Sequence, residues 1–198
     1  MIDFTTILKI LAIIIFIVII ILRAIGPTRN RSAIDYSIGY LKEHLRAPGN
    51  TYDPDPALYE NFKENCTDPH LLTALAGGIL RHCGMEPSGL SVVTKTHMDD
   101  HVAGTYSSNG TSSVITLMVT PSSRPNIIHS VLIHECMHYF LFHSGIRFDE
   151  TYKNEILTDV ATVYMGFYQF MYDGYIMVGY LRDSELRYVH RKLTEEGG

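Results

Sequence analysis

The chain has 198 residues, enough for one well-buried domain and too few for two. Its formal charge of −5, with acidic residues outnumbering basic ones, argues against a nucleic-acid partner. Three cysteines, Cys66, Cys83 and Cys136, are odd in number and form no C-x-x-C pair, so a disulfide framework is not expected.

From Ile10 to Leu22 every residue is apolar, and the stretch extends back to Phe4 across Lys9. As a helix, residues 4–22 reach roughly 28 Å at 1.5 Å per residue, close to the thickness of a bilayer core. A transmembrane anchor is therefore expected there, with a linker over 23–31 and one domain over 32–198. Ala24-Ile25-Gly26 is a poor cleavage site because Pro27 follows it. Arg23, Arg29 and Arg31 follow the stretch, and by the positive-inside rule they put the domain in the cytoplasm. The expected location is that of a single-pass membrane protein held by the lipid bilayer through residues 4–22.

Beyond the linker, Ile34, Ile38, Leu41 and Leu45 recur at helical spacing up to Pro48-Gly49. The run Asp53-Pro54-Asp55-Pro56 reads as loop, and Asp68-Pro69 opens a second helix that ends near Gly84. Segments 90–96, 102–106 and 113–119 are rich in Val, Thr, Ile and Tyr. Asn109-Gly110 between the last two is a hairpin signal, so a small, mainly antiparallel sheet is expected. Helical periodicity returns over 125–144, then over 151–171 and 183–193. Helices, a short sheet and more helices make the fold class α+β.

The stretch 134–140 reads HECMHYF. On a helix, His134 and His138 are one turn apart on one face, the spacing at which two imidazoles can hold one Zn2+. Glu135 lies at the edge of that face, within reach of a water beside the metal. The competing reading is an ordinary helix whose polar stripe happens to carry His, Glu and His. Against it stands a second pair: Glu155 and Asp159 are also four apart, in NEILTD at 154–159. One of them can complete a metal shell while the other orients a ligand histidine through its second ring nitrogen.

His143 does not fit the third-histidine pattern of metzincins, since Leu141 and Ser144 stand where Gly and His are needed. Its position suits the end of a helix. Cys136 faces away from the two histidines and reads as a buried thiol. His70, His82, His97, His101 and His129 have no partner at ligand spacing.

Together, HECMH and NEILTD resemble the H-E-x-x-H and N-E-x-x-S-D motifs of thermolysin-like zinc peptidases, the gluzincins, with Thr158 in place of Ser. The short domain is most similar to the minimal form called minigluzincins, over about residues 90–179. That resemblance implies a zincin-like domain with an active-site helix pair, with Zn2+ held by His134, His138 and Glu155. Asp159 is implied as the partner of a ligand histidine, and Glu135 as general base toward a zinc-activated water that hydrolyses peptide bonds. It further implies a peptide or protein substrate laid along an edge strand within 102–119, and the expected anchor would bring membrane-associated substrates within reach. The family's oxyanion donors have no assigned counterpart here; Tyr106, Tyr164, Tyr180, Tyr188 and His190 are the candidates. The alternative function is a catalytically inactive, zinc-containing, membrane-tethered binding or scaffolding domain.

Overall fold

A computed structural model describes residues 30–97, 102–120, 122–175 and 179–195. Among them are seven helices and three strands: α1 (Arg31–His44), α2 (Pro56–Glu64), α3 (Pro69–His82), β1 (Leu90–Lys95), β2 (Gly104–Ser108), β3 (Ser113–Met118), α4 (Pro125–His143), α5 (Thr151–Tyr164), α6 (Tyr168–Gly174) and α7 (Asp183–Glu195). The architecture is α+β, with one core shared by all the elements.

Helix α4 is the axis of that core. Every residue from Ile128 to Met137 is buried, because β2 and β3 cover one side and α3, α5 and α6 pack on the others. A helix enclosed all round is apolar all round, so each polar group it carries must find a partner inside the protein. This is what makes His134 and Glu135 informative.

The expected membrane anchor is corrected here. Among the described residues no helix is long and apolar enough to cross a membrane. Even α4, the longest at 19 residues, carries His129, Ser130, His134, Glu135 and His138 and is enclosed by protein. Residues 4–22, on which the expectation rested, lie outside the described residues. The single-pass location and the transmembrane part of the expected fold class are therefore withdrawn.

The sheet is mixed, with order β1-β3-β2. Strands β2 and β3 pair antiparallel across the Asn109-Gly110 turn, as the hairpin signal requires, while β1 lies parallel to β3 on its other side. The dipeptide determines only its own two strands, and nothing in the alternation of β1 states its direction. β3 is central, with Ser113, Ile115 and Leu117 buried at every second position. Among the described residues this leaves β2 at an edge, with no strand paired on its other side.

Two helix boundaries differ from expectation. The run ending in Asp55-Pro56 opens α2, where Asp55 Oδ1 accepts the Leu58 N–H at 2.8 Å and Pro56 takes the first turn. The helix expected over 151–171 is two helices, broken at Gly166. There φ is +90°, and a Cβ would stand 3.0 Å from the Asn50 carbonyl. Only glycine adopts that backbone freely, and its carbonyl accepts the Tyr52 N–H at 3.1 Å.

Candidate metal centre

Helices α4 and α5 pack face to face and bring their two motifs together. His134 Nε2 lies 3.0 Å from His138 Nε2, and Glu155 Oε2 lies 3.2 Å from the first and 3.1 Å from the second. Three donors bonded tetrahedrally at about 2.0 Å to one ion stand roughly 3.3 Å apart. The observed triangle fits that spacing, and this His134–His138–Glu155 group could hold a metal ion.

The far side of each imidazole is engaged. His134 Nδ1 is 2.8 Å from Asp159 Oδ1. His138 Nδ1 is 3.2 Å from Thr158 Oγ1, whose own hydrogen is donated to the Asn154 carbonyl at 2.9 Å. That hydroxyl is thus an acceptor toward His138. With an ion bound, these partners would keep each ring's proton on Nδ1 and leave Nε2 free to coordinate, the tautomer a metal ligand needs.

Asp159 is completely buried and uses both oxygens. Oδ2 accepts the N–H groups of Tyr180 and Leu181, each at 3.0 Å. One carboxylate thereby orients the His134 ring and fastens the loop that carries Tyr180. Tyr175 completes this arrangement, with its hydroxyl 2.8 Å from His134 Nδ1 and its ring stacked against the imidazole.

Charge is balanced within the group. Burial lowers the basicity of His134, but the hydrogen bonds to Asp159 and Glu155 outweigh it and hold the pKa at about 10. Burial raises the Glu155 carboxyl, yet the two histidines bring it down to about 2. Glu135 is pushed above the usual carboxylate range, chiefly by burial, with the two histidines opposing.

These side chains line an open cleft of about 520 Å3, whose far wall is β2. Contact between wall and helix is close: a Cβ at Gly104 would stand 2.8 Å from both Glu135 Oε1 and Val131 Cγ1. Glu135 therefore lies between the metal-ligand triangle and the edge strand. Among the tyrosine and histidine candidates for a donor, Tyr106 and Tyr180 line the cleft. Tyr164 donates to the Leu45 carbonyl, Tyr188 to Asp35, and His190 stacks on Tyr168.

Among the described residues, the remaining histidines and cysteines do not join this group. His82 bonds the Met165 carbonyl, His129 is buried among aromatic rings, and His143 packs on Tyr139 at the end of α4. Cys136 is fully buried. His101 lies outside the described residues. Thr158, Tyr175 and Gly104 were not anticipated in these roles. The substitution of Thr158 for Ser was visible as a departure from the motif, and it retains the hydroxyl the role requires.

Comparison with protein families, curated proteins and solved structures returns no match.

Proposed function

We propose that this chain is a zinc-dependent metallopeptidase of the gluzincin type, with His134, His138 and Glu155 as the metal ligands and Asp159 orienting His134. The observation that carries this reading is the buried Glu135, held between the ligand triangle and an unpaired strand edge. A metal bound only for stability needs no carboxylate in that place.

Two imidazoles and one carboxylate are a donor set that suits Zn2+, and three protein ligands leave a coordination position open. Bound there, zinc supplies Lewis acidity toward a water and a substrate carbonyl. The unpaired edge of β2 binds an extended peptide through main-chain hydrogen bonds and sets its scissile amide over Glu135. Glu135 takes a proton from the attacking water, whose oxygen bonds to the carbonyl carbon. It delivers that proton to the amide nitrogen as the C–N bond breaks. A carboxyl made more basic by burial is suited to both steps. Thr158 and Asp159 keep the two imidazoles in the required tautomer throughout.

The test is metal content and peptide cleavage of the full chain beside two variants. Glu135→Gln retains about one zinc per chain and loses at least ~100-fold in turnover, whereas His138→Ala loses both. Undiminished cleavage by zinc-loaded Glu135→Gln excludes the general-base role. A zinc-loaded wild type that cleaves no member of a peptide library makes the non-catalytic binding domain the correct reading.

A further inference from the structure

Asn109-Gly110 does more than turn the chain. Residues 109–112 close β2 on β3 at the Ser108–Ser113 pair, and all four are exposed. Of the asparagines in the chain, Asn109 alone precedes a glycine, so no side chain shields the backbone nitrogen that follows it. That nitrogen and Asn109 Cγ are the two atoms that join when an asparagine closes on its own backbone and loses ammonia.

The loop surrounds the amide oxygen with donors. Asn109 Oδ1 accepts the N–H groups of Ser112 at 2.8 Å and Thr111 at 3.1 Å, and the hydroxyls of Thr111 at 3.0 Å and Ser112 at 3.2 Å. Backbone N–H groups can only donate, so these contacts settle which end of the amide faces the loop. Four donors exceed the two lone pairs of a neutral carbonyl oxygen, and they gain strength as that oxygen becomes an oxyanion. Nδ2, the leaving group, has no hydrogen-bond partner among the described residues.

The attacking nitrogen is held as well. The Gly110 N–H donates to Ser108 Oγ at 3.2 Å, in a backbone with φ of +89°. Ser108 Oγ is fixed in turn, accepting the Ser113 hydroxyl at 3.1 Å and donating to the Ser112 carbonyl at 3.4 Å. Asn65 is the contrast: its Nδ2 donates to Asn61 at 3.3 and 3.5 Å, its oxygen receives no donor among the described residues, and Cys66 follows it.

From these contacts we propose that Asn109 is a self-modification site, which the folded hairpin converts to aspartate and isoaspartate faster than the unfolded chain does. Solvent hydroxide takes the Gly110 N–H proton, and the nitrogen bonds to Asn109 Cγ while negative charge builds on Oδ1. The Cγ–Nδ2 bond then breaks, Nδ2 takes a proton and leaves as ammonia, and a cyclic imide remains. Water opens the imide at Cγ to give aspartate, or at the main-chain carbonyl carbon to give isoaspartate, whose backbone runs through Cβ and Cγ. No oxidant, metal or second protein enters the balance. Holding the reacting amide in one orientation and placing donors where charge develops both lower the barrier to the first step.

The full chain is incubated at mildly alkaline pH, folded in buffer and unfolded in urea, and peptide mapping that separates aspartate from isoaspartate follows each asparagine. Asn109 should be the one converted in the folded chain, at least ~3-fold faster than in urea, a modest effect because the loop is open to water. Ser112→Ala and Thr111→Val, with melting temperatures checked, should each slow the folded reaction by roughly 2- to 5-fold and leave the rate in urea unchanged. Conversion that is equal or slower in the folded chain overturns the proposal, as does a folded rate that neither variant alters. Loss of the difference in both variants, with the hairpin intact by NMR, places the effect in the donors around Oδ1.

Discussion

His129, one turn and a half before His134, shows how differently the core of α4 treats a histidine outside the candidate metal group. It is fully buried, and neither ring nitrogen has a hydrogen-bond partner among the described residues. Tyr52, Tyr59, Phe62 and Phe170 surround it with ring centroids 4.8 to 6.2 Å away. Burial alone lowers its pKa to about 3, from an ordinary value of 6.5. In the folded protein the ring is thus neutral down to about pH 3, whereas in the unfolded chain it takes a proton below about pH 6.5. The unfolded state binds more protons in that window, so stability falls as pH drops through it, by up to about 1.4 kcal/mol per unit. His129→Phe keeps the aromatic shape and removes both the proton-binding site and two unpaired nitrogens. The variant should be more stable than wild type at pH 7 by roughly 1 kcal/mol, and its advantage should widen between pH 6.5 and 4.5. Urea titrations at pH 7, 6 and 5 read this directly; a constant difference across the series would contradict the buried neutral ring.

At the scale of elements, the site depends on how closely β2 approaches α4. Gly104 is where the strand meets the helix, and the missing side chain lets Glu135 and Val131 lie against the backbone. Gly104→Ala should displace either the Glu135 carboxylate or the strand edge while leaving the ligand triangle between α4 and α5 untouched. Zinc content should therefore remain near one per chain while kcat/KM falls roughly 10- to 100-fold, the scale expected for a misplacement of about 1 Å. Ser107→Ala on the exposed part of the same strand should change neither. Parallel metal analysis and peptide kinetics decide the matter, and full activity in Gly104→Ala would mean that the contact does not position the carboxylate.

This contact also marks where reading the chain by periodicity stops. His134, His138, Glu155 and Asp159 are legible because helical spacing alone sets each pair on one face. The meeting of β2 with α4 is a tertiary fact, and no spacing rule connects Gly104 to a glutamate 31 positions later. Tyr175 is as hidden, because it reaches His134 from the far end of α6. The Tyr180 and Leu181 contacts with Asp159 use backbone N–H groups that any residue but proline supplies. Gly166 was readable in principle: a glycine inside an apolar helical pattern is a stop signal, and here its neighbours leave no room for a side chain.

For the molecule as a whole, the candidate metal group is one of several closures that tie distant parts of the chain. Another joins the N-cap of α1 to the start of α7, where the buried Glu185 accepts the Asn30 N–H at 2.9 Å and the Arg182 N–H at 3.0 Å. Neither closure needs an ion to form its contacts. His134 and His138 already bond Asp159, Thr158 and Glu155, and the core around Leu132 and Leu157 is continuous beneath them. The fold should therefore survive chelation, unlike small domains whose folding free energy comes from the metal itself. Zinc would still stabilise the native state by mass action, by about 2.7 kcal/mol at a free concentration 100 times its Kd. For a chain of this size that corresponds to roughly 5 to 10 °C in Tm. Thermal melts of the full chain followed by circular dichroism should show a cooperative transition in the presence of a chelator and a higher one in zinc. Glu155→Ala should lose the increment yet keep the transition. Loss of the folded signal on chelation would instead make the metal a structural necessity, and identical melts with and without zinc would remove the metal centre from the proposal.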